Sequence, residues 1–567
     1  MTTAQEDSEA SFSPIQLDGI VGESQSSNGS VSSSDIRSTI ICGPLLRFLT
    51  IDTHKGIWHG SILLVMGSTH SPPTITLYHP ISGEIATSVE RLHTFRNQFK
   101  FWRFSVDVPV YDKEARVNYI ISTYPNMPHT FVVPGTWQHM RIAYFSCNGF
   151  SEESPPKVYV EHQDNLWTDL LDQHAHQPFH VMLGGGDQLY NDQILNLPII
   201  RRHWLDGKTV RERQRTPMTP EVHDALETYY FQHYIETFGS GDFAEAMKNI
   251  GYIYTWDDHD IVDGWGSYPD ALHNSPIMRG LFHLAQRFYL LFQHHTTLHH
   301  FPTHQHFFSS GTGVSAISQL GHSVTFLTLD TRSERNKYHI CSRTWSFASY
   351  PTPDHHARHT DHLPSLAVPQ WRDGYAKPEG DFPALELLQI GEIFRNATDY
   401  TDNNTVNIHF EEVNDHWTAK SHEKERTAFV EMLQKLALQR SIRITFVAGD
   451  VHCCGFGRFF SKTPKEAVRD PLYMVQIISS GIVNHPPQAS VMNLLQRNAQ
   501  QMGTKSFNAY TMEEMISAFG QAEGGCEVEE SVRDSKLLGR RNWCAMQVEK
   551  ETLVSGGPRR FGSASRC

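Results

Sequence analysis

The sequence predicts an α/β protein with a small β-sandwich in front of the main fold, and three features lead to that class. Between residues 43 and 133 the chain runs in short stretches rich in β-branched and aromatic residues, such as 62–66 and 101–108, separated by Pro, Gly and Ser. Short strands with turn signals at that spacing describe an antiparallel sandwich. From about Met140 onward the grammar becomes strand followed by helix, the layering of helices on a sheet. The third feature is size: 567 residues with 32 Phe, 20 Tyr and 11 Trp can bury a large apolar core and exceed any single small module.

Taken in order, residues 1–38 are Ser, Glu, Asp, Gln and Gly with few large apolar side chains, a composition that cannot offset the entropy of ordering. They are expected as a disordered tail. The sandwich is expected over 39–138, the main domain over 139–545, and a flexible tail over 546–567. Apolar runs at 142–145, 180–183, 252–256, 324–329, 442–447 and 474–478 have strand length and are expected in one sheet. Helices are expected over 275–292 and 422–440. In the second, Phe429, Val430, Leu433 and Leu436 fall near helical spacing and make one apolar face. The stretch 337–418, rich in Pro, His, Asp and Asn, is expected as an insertion or lid.

Charge and ends narrow the function classes. A formal net charge of −14 leaves no global positive field for bulk nucleic-acid or anionic-membrane binding. The eight cysteines are scattered rather than arranged as a disulfide scaffold, which fits a reducing compartment. Residues 1–7 carry neither a basic nor an apolar leader segment, and no run approaches the ~20 apolar residues of a membrane-spanning helix. A cytoplasmic location, with any membrane association peripheral, is the expectation. The 34 histidines are notable because imidazole is the commonest metal ligand and titrates near neutrality.

The chemistry sits immediately after the strands. Cys147 follows the first, Gly186, Asp187 and Tyr190 the second, Asp257, Asp258, His259 and Asp260 the third, Asp330 and Arg332 the fourth, and Asp450 and His452 the fifth. Ligands of open α/β sheets bind outside the carboxyl ends of strands, so these residues converge on one cleft. Singly, each has a blander reading: a Gly-Asp as a turn or cap, Asp330 with Arg332 as a local ion pair, Cys147 as a small buried hydrophobe. Jointly they place several carboxylates together, which repel unless cations neutralise them. Two metal ions about 3.5–4 Å apart can activate a water and clamp a phosphoryl group for in-line attack. A phenolate from Tyr190 and a thiolate from Cys147 favour a trivalent ion such as iron over magnesium. His294, His295, His299, His300, His304 and His306 are expected as a solvated rim, and Cys453 and Cys454 as core.

The motifs around Cys147, Asp187 to Tyr190, Trp256 to Asp260, Asp330 to Arg332 and Asp450 to His452, in that order, resemble the PhoD-like alkaline phosphatases among the metallophosphatases, and the stretches Trp265 to Asp270 and Arg287 to Gln293 further resemble their fungal members. The resemblance spans about residues 40–545. It implies a four-layer α/β/β/α catalytic domain behind a β-sandwich, and hydrolysis of phosphomonoesters or phosphodiesters at a dinuclear centre of iron(III) with calcium, ahead of zinc or manganese. By motif, Asp187 bridges the two ions, and Cys147, Tyr190, Asp257, Asp258, Asp450 and His452 complete the ligand set. His259 is expected to protonate the leaving oxygen or orient the phosphate, Arg332 to clamp it, and Asp330 to hold that arginine. The substrate is expected to be a phosphoester small molecule or lipid. Two rival readings are a non-catalytic scaffold that keeps the fold, and a phospholipid or nucleotide phosphodiesterase at a membrane face.

Overall fold

The apolar runs become strands. In the computed structural model, residues 40–67, 71–150, 165–300, 307–308, 313–336, 338–340, 365–369, 422–517 and 535–547 are described. The expected N-terminal tail, the expected C-terminal tail beyond Gln547 and nearly all of the expected insertion over 337–418 lie outside these residues, as do His304 and His306, while Met546 and Gln547, expected at the start of a flexible tail, end a strand paired with residues 141–142.

In chain order the strands are β1 (Ile40–Asp52), β2 (Ile57–Gly67), β3 (Ile75–His79), β4 (Gly83–Ala86), β5 (Ser88–Phe95), β6 (Phe99–Pro109), β7 (Ala115–Ile121), β8 (His129–Val133), β9 (Arg141–Phe145), β10 (Val181–Gly184) and β11 (Tyr252–Tyr254). They continue with β12 (Phe307–Phe308), β13 (Ser315–Leu320), β14 (Val324–Thr328), β15 (Ser365–Pro369), β16 (Arg443–Ala448), β17 (Cys454–Ser461), β18 (Met474–Ser479), β19 (Lys505–Ser506), β20 (Thr511–Ile516), β21 (Leu537–Leu538) and β22 (Cys544–Gln547). The longer helices are α1 (Asn165–His176), α2 (Pro220–Gly239), α3 (Gly241–Asn249), α4 (Pro276–Phe292), α5 (Glu423–Arg440) and α6 (Ala489–Met502). None among the described residues is long and apolar enough to cross a membrane.

The fold is mixed α/β with several sheets. The first runs β22-β9-β10-β11-β1-β2-β6-β5, the second β12-β13-β14-β15-β16-β18-β17-β20-β19 with β21 beside β17, and the third β4-β3-β7-β8. The strands expected in one sheet are therefore divided: β9, β10 and β11 pair in parallel in the first, while β14, β16 and β18 lie in the second, where β15, a strand inside the stretch expected as an insertion, pairs in parallel between β14 and β16. A fully apolar run records burial on both faces, not which neighbour it pairs with. The stretch expected as a separate sandwich is divided too. β1 pairs in parallel with β11, Arg47 opposite Tyr252, so the expected boundary near residue 139 falls inside one hydrogen-bonded sheet.

One apolar core joins all three sheets, with Leu46, Ile62, Tyr144 and Leu183 from the first, Phe326, Val447 and Ile477 from the second, and Leu77, Tyr119 and Phe131 from the third. Each such side chain contributes roughly 1.5–3 kcal/mol by leaving water. The far face of the second sheet is covered by α5, whose predicted face packs Phe429, Val430 and Leu433 on Leu327, Ile444 and Phe446. The far face of the first is covered by α2 and α4: Phe231 stacks 4.2 Å from Phe95, and Phe292 meets Phe101 edge-on at 5.3 Å. α4 starts where the sequence places a cap, with the Ser275 side chain accepting the Met278 N–H and Pro276 in the first turn.

The expected histidine rim is corrected at two positions. His294 and His295 follow α4 and are buried, at 2% and 0% exposure. Their helix ends against the sheet rather than in water, so the imidazoles pack inward: Arg47 donates to His294 Nδ1 (3.2 Å), while His295 meets Ser61 Oγ (2.9 Å) and Tyr252 OH (2.7 Å). Burial first, then the Arg47 charge, pushes both well below the ordinary imidazole range. Burial likewise lowers His233 to about 4. A neutral buried imidazole leaves the unfolded chain binding more protons below pH ~6.5, so its stabilisation is whole above that value and is lost as pH falls. Thermal melts should hold level above about pH 7 and drop by several degrees toward about pH 5. His295→Asn, which tolerates the left-handed backbone there (φ 50°), should lower stability at neutral pH but flatten the acid slope. An unchanged slope would contradict the assignment.

Candidate metal centre

The strand ends meet at a seam between the first two sheets. β9, β10 and β11 present Cys147, Asp187 and Asp257 with Asp258, while β14, β16 and β18 present Arg332, Asp450 with His452, and Ser480 with Asn484. Hydrogen bonds close the seam: Ser146 Oγ to Ser479 O (3.3 Å), Thr255 Oγ1 to Leu329 O (3.3 Å), and Trp256 Nε1 to Asp330 Oδ1 (3.0 Å). The backbone turns sharply at four of the seven positions read as ligands. Cys147, Asp187, Asp450 and His452 have φ of 57°, 55°, 83° and 50°. Non-glycine residues in that region cost on the order of 1–3 kcal/mol each and persist where the surroundings over-determine them.

The acids come together as the strand-end pattern implies. Asp187, Asp257, Asp258 and Asp450 offer oxygens that all lie within 4.8 Å of one another, and Asp187, Asp258 and His259 form a second such group. Cys147 Sγ is 3.4 Å from Asp187 Oδ2 and 3.1 Å from Ser480 Oγ. Tyr190 OH lies 3.4 Å from the same Asp187 oxygen and 3.2 Å from His452 Nε2. All seven residues read from the sequence as ligands are thus in one place. Asp187 is 1% exposed, and its Oδ1 has no hydrogen-bond partner. A buried carboxylate oxygen left this way is costly unless something else binds it.

The other three expected residues sit differently. His259 stands beside Tyr190 (ring centroids 4.3 Å apart), with Nδ1 held 2.9 Å from both oxygens of Asp192. Arg332 is fully enclosed: it pairs with Asp257, lies 3.3 Å from Asp258 Oδ1 and donates to Trp265 O (2.7 Å). Asp330 does not grip the guanidinium. It accepts the Arg332 and Val314 N–H groups, the Trp256 indole and Ser333 Oγ, which anchors the turn after β14.

Sequence reasoning assigned no role to Asp192, Asp260, Ser480 or Asn484. Asp260 lies inside the acidic run noted after the third strand and Asp192 two residues beyond Tyr190, where nothing in the sequence distinguishes a carboxylate aimed at the cleft from one aimed at the backbone. Ser480 and Asn484 follow β18, a sixth strand end that the same rule would have found; Asn484 N–H donates to Cys147 O (3.2 Å).

Burial and mutual repulsion dominate the electrostatics. Burial first, against the opposing charge of His259, and then the Asp257, Asp258 and Asp260 carboxylates hold Asp187 well above the usual carboxylate range. Burial, then the acids around it, likewise raises Cys147, and burial, then Cys147 and Asp187, raises Tyr190. For His259 burial lowers the pKa, but Asp192, Asp258 and Asp187 together outweigh it and raise the imidazole well above its ordinary range. Burial pushes Asp260 up to about 7, against the N–H groups that it accepts. Such a donor set holds protons in place of cations.

Close packing of the two ligand loops is itself testable. A Cβ at Gly449, just before Asp450, would lie 2.1 Å from Ser146 Oγ, just before Cys147. Gly449→Ala should lower stability by about 1–3 kcal/mol in thermal or urea unfolding, and Ser146→Gly in the same chain should recover much of it. Additive losses in the double variant would show that the two loops do not press on each other.

The uncharacterized protein YGR266W of Saccharomyces cerevisiae is 27% identical over 582 residues, covering 89% of this chain and 81% of that protein. A solved structure titled "Structure of PhoD" covers 89% of this chain and 94% of its own, at 11% identity and a TM-score of 0.42. The family described as PhoD related phosphatase matches residues 111–351 and 402–565, which include every ligand position above. The chain belongs to the PhoD related phosphatase family.

Proposed function

We propose that the chain is a metal-dependent phosphoester hydrolase whose ions bind at the seam between the two large sheets, in a four-layer α/β/β/α arrangement completed by α5 on one side and α2 with α4 on the other. The observation that supports this best is the buried Asp187 Oδ1, without a hydrogen-bond partner inside a set of oxygens within 4.8 Å of one another. The donor set fits cations. Asp187, with Cys147, Tyr190, Asp257, Asp258, Asp450 and His452, would hold the ions; thiolate and phenolate donors suit iron(III), and the carboxylates calcium. When bound, the ions supply Lewis acidity that activates water and neutralises phosphoryl charge.

The remaining residues position and protonate. His259, oriented by Asp192, whose carboxylate is the first of the charges that raise its imidazole, would present a proton beside the cleft for the leaving oxygen. Arg332 serves as the fixed countercharge of Asp257 and Asp258, and a phosphate clamp would require it to leave them. The substrate class is a phosphoester of a small molecule, and the protein acts in the cytoplasm.

Purified protein reconstituted with metal should hydrolyse an aryl phosphate or a bis-aryl phosphate. Asp187→Asn should lower kcat/KM by at least about 100-fold while leaving the fold intact by circular dichroism. Wild-type activity in that variant, or no hydrolysis with any reconstituting ion, would remove the proposal.

A further inference from the structure

One buried carboxylate is used neither to hold an ion nor to meet substrate in the reading above. Asp260 is 0% exposed and lies where three segments cross. Its Oδ2 accepts the backbone N–H of Asp187 at 2.7 Å and of Asp257 at 2.9 Å, the ends of two neighbouring strand loops. Its Oδ1 accepts Gln293 Nε2 at 2.9 Å, from the residue that caps α4. The amides beyond it have defined orientations. Gln293 Nε2 is also 3.1 Å from Tyr234 OH, Gln293 Oε1 accepts Gln188 Nε2 (3.3 Å), and Gln188 Nε2 donates to Thr255 O (2.7 Å).

A single oxygen therefore fixes the main chain of two residues whose side chains meet in the ligand set. The Asp187 N–H belongs to a residue at φ 55°, where few alternatives exist for its direction. Without that acceptor two buried N–H groups lose their partner, and both loops are released to relieve the repulsion of their own carboxylates.

We infer that Asp260 is a positioning residue that sets the spacing of Asp187 and Asp257, and through it the affinity of the site for cations. This rests on the metal reading of the preceding section. Asparagine is the informative substitution because it keeps the shape and one oxygen for the two N–H groups, yet turns an amide donor toward the Gln293 donor. Turning Gln293 over moves the conflict to Gln188, whose amide is committed to Thr255 O. Asp260→Asn combined with Gln293→Glu restores an acceptor opposite each donor, with the negative charge moved one side chain outward. A merely space-filling role would not respond to that exchange.

The test uses the full-length chain, stripped with chelator and titrated calorimetrically with Ca²⁺, Mn²⁺ and Zn²⁺ in turn, with metal-free thermal melts alongside. For the ion that the wild type binds most tightly, Asp260→Asn should bind at least about tenfold more weakly, and the double variant should recover most of the difference. Binding of Asp260→Asn within twofold of wild type, or a folded double variant no better than the single one, overturns the inference. If Asp260→Asn does not fold, Gln293→Met decides: it removes only the outer contact and should weaken binding by about threefold or more, and unchanged affinity overturns the inference. A wild type that binds none of the three ions, nor iron offered in the same way, overturns the metal reading itself, and is distinguished from the other outcomes by its own titration.

Discussion

Four carboxylates packed at the dry seam of two sheets repel one another, and the rest of the site is arranged around that repulsion. Two like charges about 4 Å apart cost about 4 kcal/mol even at an effective dielectric of 20. Asp187, Asp257, Asp258 and Asp450 form six such pairings at comparable range, more than a fold of ordinary stability tolerates without countercharge. The structure supplies part of it internally. Arg332 is enclosed against Asp257 and Asp258, and His259 is charged by the acids around it. One oxygen of Asp187 remains without a hydrogen-bond partner, and the proposed cations would take that place.

Holding the acids there needs backbone that would otherwise relax. Four ligand residues sit in the left-handed region, Gly449 lets the Asp450 loop approach Ser146, and Ser479, Leu329 and Asp330 accept hydrogen bonds across the seam. These features sit far apart in sequence. They coincide only because parallel strands in both sheets deliver their carboxyl ends to one edge.

The site was more legible in the sequence than the architecture. Residues placed right after apolar runs can be read without knowing strand pairing, so Cys147, Asp187, Tyr190, Asp257, Asp258, Asp450 and His452 could be named together, and in the fold they are neighbours. Pairing itself leaves no mark in an all-buried strand, which is why β9 to β11 and β14 to β18 looked like one sheet. β1 and β2 looked like part of a separate sandwich for a related reason: their antiparallel pattern is local, whereas the Arg47 to Tyr252 pairing spans two hundred residues. Side-chain direction was also hidden. Asp330 and Arg332 lie two residues apart and read as a pair, yet Asp330 turns to backbone N–H groups, the Trp256 indole and Ser333, and Arg332 to acids from another strand. His294 and His295 read as rim because polar spacing after a helix usually means solvent, and only the tertiary fold shows that this helix ends inside.

The most direct measurement is the metal content of protein purified from its native host, wild type beside Asp187→Asn. A dinuclear centre bridged by Asp187 predicts close to two ions per chain in the wild type and a loss of at least one of them in a variant that still folds. Absence of stoichiometric metal in the wild type, or an undiminished complement in Asp187→Asn, would contradict it.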